Sequence, residues 1–150
     1  MILQAELQNL IARKDRPEPS MLSVYLNVNQ TEEANLNRGF ETNLHSMLNE
    51  LRDPAWSERD VETLNRAADR CLEQIRSYKG GAKGIVMFLD QADDFAWIRE
   101  LNVTVRNSLS WGVSLHIHPL MELLRRFHNF GVVLSDHVHT RTFAVSLGEI

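Results

Sequence analysis

Apolar residues recur along this chain in two periods, and the switches between them mark out its elements. Ile2, Leu3, Leu7, Leu10 and Ile11 fall on one face at helical spacing and run into a charged stop, Arg13-Lys14-Asp15-Arg16. Pro17 and Pro19 then enforce an extended connection. Residues 22–28 (LSVYLNV) are short and β-rich, which predicts an interior strand. A polar stretch over 29–35 follows, with Glu32 and Glu33 near the start of the next helix, where the helix dipole favours negative charge. That helix places Leu36, Phe40, Leu44, Met47, Leu48 and Leu51 on one face and ends near Asp53-Pro54, because a residue before proline disfavours the helical region.

The second half repeats the alternation of periods. Ser57, with Asp60 three residues on, forms a capping box of the weaker, aspartate kind. Behind it Val61, Leu64, Ala68, Cys71, Leu72, Ile75 and Tyr78 make the buried stripe of a long helix that stops at Gly80-Gly81. Gly84–Asp90 (GIVMFLD) is a continuous apolar run between turn residues, as expected of a strand covered on both faces. Asp93-Asp94 makes a turn, residues 96–101 alternate as a further strand, and Gly112 breaks the line before a third strand over 113–117. Pro119 suits the first turn of a helix, where its missing N–H would be unpaired anyway, and Leu120, Leu123, Leu124 and Phe127 follow at helical spacing. Beyond Gly131, residues 132–134 and 143–147 form two β-rich runs across a polar turn over 136–140.

The order α-β-α-α-β-β-β-α, then a hairpin, predicts an α/β domain: a mixed sheet layered with helices, its first two strands joined by a right-handed crossover through the helix pair. The expected division is an α/β domain over 1–129 and, over 130–150, a β-hairpin that opens a second domain without completing it. Phe143, Val145 and Leu147 share one greasy face of its last strand. An isolated hairpin is marginal in water, so this one is expected to pack on the first domain or on a neighbouring chain, and its edge is a candidate for pairing with a second copy.

Charge and composition narrow the function classes. A formal net charge of −4 argues against nonspecific binding to nucleic acid or membrane surfaces, although a local patch survives it: Arg13, Lys14, Arg16, Arg125 and Arg126 are the candidate RNA-facing residues. Cys71 is alone, which excludes an internal disulfide and Cys-rich zinc sites. No run approaches membrane-spanning length, and the N-terminus lacks a basic lead and a small-residue cleavage site, so the expected location is the cytoplasm. The Asn-x-Thr triplets at Asn29 and Asn102 carry no meaning in a chain that is not exported.

Candidate chemistry is sparse. His116 and His118 share a face if they lie on a strand, and His137 and His139 repeat the spacing; the two pairs offer four nitrogen ligands to zinc or copper, hence a metal-dependent enzyme as an alternative reading. His-x-His is a common pattern, however, and hydrogen-bonded or solvated histidines are the simpler account. Asp90, Asp93 and Asp94 cluster after a strand, where acid/base carboxylates often sit, but a solvated turn explains them as well. No serine occupies a Gly-x-Ser-x-Gly elbow. Gly80-Gly81-Ala82-Lys83-Gly84 lies before a strand rather than between strand and helix, the wrong side for cradling phosphate. Cys71 belongs to a buried stripe rather than to a nucleophile's setting. No catalytic residue, cofactor or metal is expected from the residues themselves.

The order of motifs carries more. SMLSVYLNV over 20–28, the helix pair, GIVMFLD, the His118-Pro119-Leu120 junction, and FGVVLSDHVHTRTFAVSLGE over 130–149 together resemble the bacterial and archaeal relatives of the class-1 peptide-chain release factors and Pelota, Balon-like hibernation factors included. In that family a strand ending in Pro-Leu precedes a helix, then come a hydrophobic strand ending in Asp, a short turn, an aromatic-centred strand and Leu-Gly. Here these are Pro119-Leu120, residues 132–136, Phe143 and Leu147-Gly148. The resemblance covers most of the chain from about residue 20 and implies a role in translation with the ribosome as partner. The family's codon-reading loop carries Asn-Ile-Lys-Ser; the matching residues, Arg52-Asp53-Pro54-Ala55-Trp56-Ser57, carry no such motif. Its peptide-releasing Gly-Gly-Gln belongs to the second domain and has no counterpart here. The resemblance therefore implies a noncatalytic docking domain.

Overall fold

The structure is a computed structural model that describes residues 2–127 and 144–145. The chain divides into two compact units, residues 15–115 and a second formed by 1–14 with 116–150. The expected seam at 129/130 lies outside the described residues, as do the turn over 136–140 and both Phe143 and Leu147.

The larger unit is built on a four-stranded sheet. Its strands are β2 (Met21–Asn27), β3 (Gly84–Asp90), β4 (Phe95–Leu101) and β5 (Ser108–Gly112), in the spatial order β4-β3-β2-β5. Every neighbouring pair is antiparallel, so the sheet is not mixed, and the helices between β2 and β3 join antiparallel neighbours rather than forming a handed crossover. The α/β layering itself stands, as does the element order.

β2 and β3 occupy the middle in register, Leu22 opposite Leu89, Val24 opposite Met87 and Leu26 opposite Ile85. All seven residues of β3 are buried, and β2 is buried through Leu26. Even-numbered residues of β2 and odd-numbered residues of β3 face the helices α2 (Gly39–Leu51) and α3 (Glu58–Ser77). Phe40, Leu44 and Leu48 of α2 and Leu64, Ala67, Ala68, Cys71 and Ile75 of α3 close this core. The opposite face centres on Phe88, edge-on to Tyr25 and stacked on Trp97 at 5.4 Å.

The helical expectations hold with two local changes. Ser57 caps α3 at the expected position: its Oγ accepts the Asp60 N–H at 3.2 Å, and its hydroxyl, rather than its backbone N–H, donates to Asp60 Oδ2 at 2.9 Å. Leu36 is not on the buried face of α2; a short 3₁₀ stretch, Glu33–Arg38, kinks there and leaves Leu36 half exposed. Asn37 and Arg38 then take left-handed backbone conformations (φ 53° and 62°), which non-glycine residues adopt at a cost. What holds them is Arg38. Its Nη1 and Nη2 donate to the Tyr78 and Ile75 carbonyls at 2.9 and 2.7 Å, satisfying the C-terminal end of α3, while Nε donates to Glu41 at 2.8 Å and the guanidinium lies 5.0 Å from the Phe40 ring centroid. One side chain thus joins the start of α2 to the end of α3. Gly39 follows because a Cβ there would run into the Ala34 carbonyl.

Two boundaries differ from expectation, one in each unit. The third strand after the helix pair is 108–112, not 113–117, because residues 21–25 of β2 pair with β5 and residues 113–117 continue as bends and irregular chain. In the other unit, Ile2–Leu3 form a strand (β1) rather than the first turn of the helix. They pair antiparallel with β6 (Ala144–Val145), Ile2 opposite Val145, while α1 is Gln4–Ala12. Helical spacing alone does not exclude a strand partner from the far end of the chain. α4 is His118–Phe127, with Pro119 in its first turn as expected and Leu120 and Leu124 buried.

Arg38 combines backbone strain with a clamp, and substitutions separate the two. Arg38→Ala is expected to destabilise the chain by about 2 kcal/mol, in the range for charge-assisted bonds discounted for partial exposure. Arg38→Gly loses the same clamp but relieves the left-handed backbone, worth about 1 kcal/mol. Urea unfolding should therefore rank wild type above Arg38→Gly above Arg38→Ala; equal losses would mean the backbone carries no strain.

Candidate functional site

Of the carboxylates at the end of β3, Asp90 is a structural anchor, while Asp93 and Asp94 sit in an exposed turn. Asp90 is wholly buried: Oδ1 accepts from Ser20 Oγ at 2.8 Å and from the Ala92 N–H at 3.0 Å, and Oδ2 accepts from Arg16 Nε at 2.9 Å. Arg16 also reaches Asp93 at 3.4 Å. Asp94, in a left-handed turn, accepts from Arg70 of α3 at 2.8 Å. These contacts tie the proline-containing connection over 16–20 and the β3–β4 turn to the sheet and to α3. A general base needs a lone pair free toward substrate, and Asp90 spends its oxygens on internal donors.

A cleft of about 460 Å³ lies between that connection and the first half of α3, and Arg16, Arg59 and Arg66 line it. Their charges are answered locally: Arg16 by Asp90 and Asp93, Arg59 by Glu18 at 3.6 Å, and Arg66 by Glu62 at 3.5 Å. The latter two are exposed, long contacts of small energetic weight. With Glu18 and Asp60 also on its walls, the cleft is close to neutral and offers no focused field for an anion.

The remaining candidates scatter. Of the five basic residues, Arg16 belongs to the larger unit and is engaged at Asp90, while Arg13, Lys14, Arg125 and Arg126 belong to the other. Lys14, Arg125 and Arg126 are exposed, with Arg125 donating to Glu122 at 3.0 Å along α4. His116 is exposed in irregular chain and His118 begins α4, so the two are not side by side on a strand; His118 lies 3.9 Å from Glu122. His137 and His139 fall outside the described residues. Among the described residues, no three of His, Cys, Asp and Glu gather closely enough to hold a metal ion. Of the hairpin edge only Val145 is described, and its backbone is paired with Ile2.

The α2–α3 connection over 52–57 is well ordered by its own side chains. Arg52 donates from Nη1 to Asn49 Oδ1 at 2.6 Å and from Nε and Nη2 to Asn65 Oδ1 at 3.1 and 2.8 Å, splinting one helix to the other. Asp53 Oδ1 accepts the Ala55 N–H at 2.8 Å, and Trp56 packs against the core. No model of a known protein family matches the chain, and no curated protein matches it in sequence.

Sequence reasoning missed one polar network. Asn27, Asn29 and Asn35 bind one another and Glu32, Thr31, Thr104 and Asn107 where β2 leaves the sheet, with Asn35 buried. The signal was present as four asparagines within 27–37: Asn29-x-Thr31 is an Asx turn, its Oδ1 accepting from the Thr31 N–H and Oγ1, rather than a modification motif. Cys71 is inert, buried in the α2–α3 core, its thiol pushed up from 9.0 to about 12 by burial against a smaller opposing pull from Arg70.

Two outcomes follow from these groups. Asp90→Asn removes the charge and turns one of the two acceptor oxygens into an NH2, which opposes either the Arg16 donor or those of Ser20 and Ala92; breaking a buried pair costs about 3–5 kcal/mol, so with Arg16 a third exposed a loss of about 2 kcal/mol is expected in urea unfolding, and a double change of Asp90→Leu with Arg16→Met should regain much of it. For Cys71, the folded thiol ionises later than the unfolded one. Its contribution is therefore complete below about pH 9 and shrinks as pH rises toward 12, by up to about 1.4 kcal/mol per unit. The alkaline fall in stability should be shallower in Cys71→Ala; identical slopes would place the titration elsewhere.

Proposed function

We propose that this chain is a noncatalytic docking domain of the release-factor/Pelota-like kind, which places a translation protein on the ribosome. The observation that carries the reading is the α2–α3 hairpin standing on one face of the sheet between β2 and β3, the same strand, helix pair, strand order on which the resemblance rests. Its connection over 52–57 is held by Arg52, Asn49 and Asn65 and lacks Asn-Ile-Lys-Ser, so the hairpin is a shaped contact surface without the residues for reading a stop codon.

With a net charge of −4, contact with rRNA depends on local cations, and Lys14, Arg125 and Arg126 are the exposed ones among the five basic candidates. Phosphate contacts release counterions, so association should weaken steeply as salt rises. The chain is expected to pellet with ribosomes through a sucrose cushion at low salt. Charge reversal at Lys14, Arg125 and Arg126 together should weaken pelleting by about tenfold or more, each lost phosphate contact flattening the salt slope by about one unit. No pelleting at any salt concentration would overturn the proposal.

A further inference from the structure

The two outer edges of the sheet are managed differently. On β4, the Leu101 carbonyl turns inward to accept the Lys83 N–H, so alternation turns the Ile98 carbonyl outward. Arg99 Nη1 donates to that outward carbonyl at 2.7 Å, with its guanidinium 5.0 Å from the Trp97 ring centroid. A masked carbonyl and the charges of Arg99 and Glu100 are what proteins use to keep an edge from pairing.

β5 has no such protection. The Gly112 carbonyl accepts the Ser20 N–H at 3.1 Å, so Ser108, Ser110 and Gly112 turn their backbone toward β2, and Leu109 and Trp111 turn their N–H and C=O away from the sheet. Among the described residues no strand pairs with that side. The strand reads SLSWG, without a charged side chain or proline. Beside it Met47 and Leu51 of α2, half-buried, line a groove of about 290 Å³ with Leu109, Asn107 and Ser108, and the exposed Glu50 is its one charged wall.

We propose that the β5 edge binds the same edge of a second copy of this chain, antiparallel across a two-fold axis at Ser110. In that register Leu109 lies opposite the partner's Trp111 and Trp111 opposite the partner's Leu109. Each of these pairs exchanges both of its outward backbone hydrogen bonds, and an aliphatic side chain meets an aromatic one on the helix-covered face. Because the strand is uncharged, self-pairing sets no like charges opposite each other within the ladder, whereas β4 would set Arg99 and Glu100 there. The two sheets then continue as one antiparallel sheet, with Met47 and Leu51 extending the apolar contact. Since each copy carries a net charge of −4, added salt should tighten this association, the opposite of its effect on binding to RNA.

Sedimentation equilibrium combined with residue-resolved amide exchange tests the proposal on the whole chain. The expected result is a monomer–dimer equilibrium that shifts toward dimer with concentration and with salt. The Leu109 and Trp111 amides should exchange about tenfold or more slowly in concentrated than in dilute protein, while the Ser110 amide, already bonded to β2, stays unchanged. Leu109→Lys should be monomeric with an unaltered far-ultraviolet circular dichroism spectrum, and Ile98→Lys on the opposite edge should leave the dimer intact. If Leu109→Lys fails to fold, the concentration dependence of the two wild-type amides decides. A wild-type chain that stays monomeric at the highest concentration reached overturns the proposal. So does a dimer in which those amides do not change, or protection of them only when an unrelated extended peptide is added.

Discussion

The rest of the larger unit depends on the pairing of β2 with β3, seven residues in unbroken register with both strands buried. Two central strands that expose neither face must be covered twice. Backbone groups that cannot reach water must also find partners along their whole length. The first requirement recruits α2 and α3 to one face and the Tyr25–Phe88–Trp97 stack to the other. The second brings in β4 and β5, which complete the ladders that β3 and β2 leave open. β4 and β5 are accordingly less buried, because they have a strand on one side only among the described residues.

Around this apolar centre, a few charged groups fix where the connections run. Asp90 lies at the last position of β3 with its carboxylate wholly inside, and it gathers Arg16, Ser20 and the Ala92 amide, so the chain entering β2 and the chain leaving β3 are tied at the same point. Arg38 does the equivalent at the other side, joining the entry of α2 to the exit of α3. Such groups contribute less to net stability than their short distances suggest, since burial of charge is costly. A misplaced connection would leave the wholly buried Asp90 carboxylate unpaired, whereas Arg38, more than a third exposed, can regain water. Asp90, which invites a catalytic reading from sequence, is thereby explained as architecture, while Asp93 and Asp94 remain exposed in the turn.

Three features stand out on the described surface. They are a helical hairpin with a braced connection, exposed cations at the end of α4, and a β5 edge that no strand pairs among the described residues.

Local pattern determined most of the elements. The short β-rich run of β2, the unbroken apolar run of β3, the stripe of α3, its Ser57 cap and Pro119 in the first turn of α4 were all legible, because each depends on residues a few positions apart. The interior position of β2 was legible for the same reason. What only the tertiary structure decided involves partners distant in the chain. Strand direction is one: nothing in a strand's own residues says that both neighbours of β2 run antiparallel to it, which turned an expected mixed sheet into a wholly antiparallel one. The assignment of Ile2–Leu3 is another, since helical spacing describes them until Ala144–Val145 supply ladder partners. The roles of Asp90 and Arg38 are the clearest cases. Whether a charged side chain is solvated, catalytic or an anchor depends on donors and acceptors 74 and 37 positions away in sequence, and folding alone brings those together.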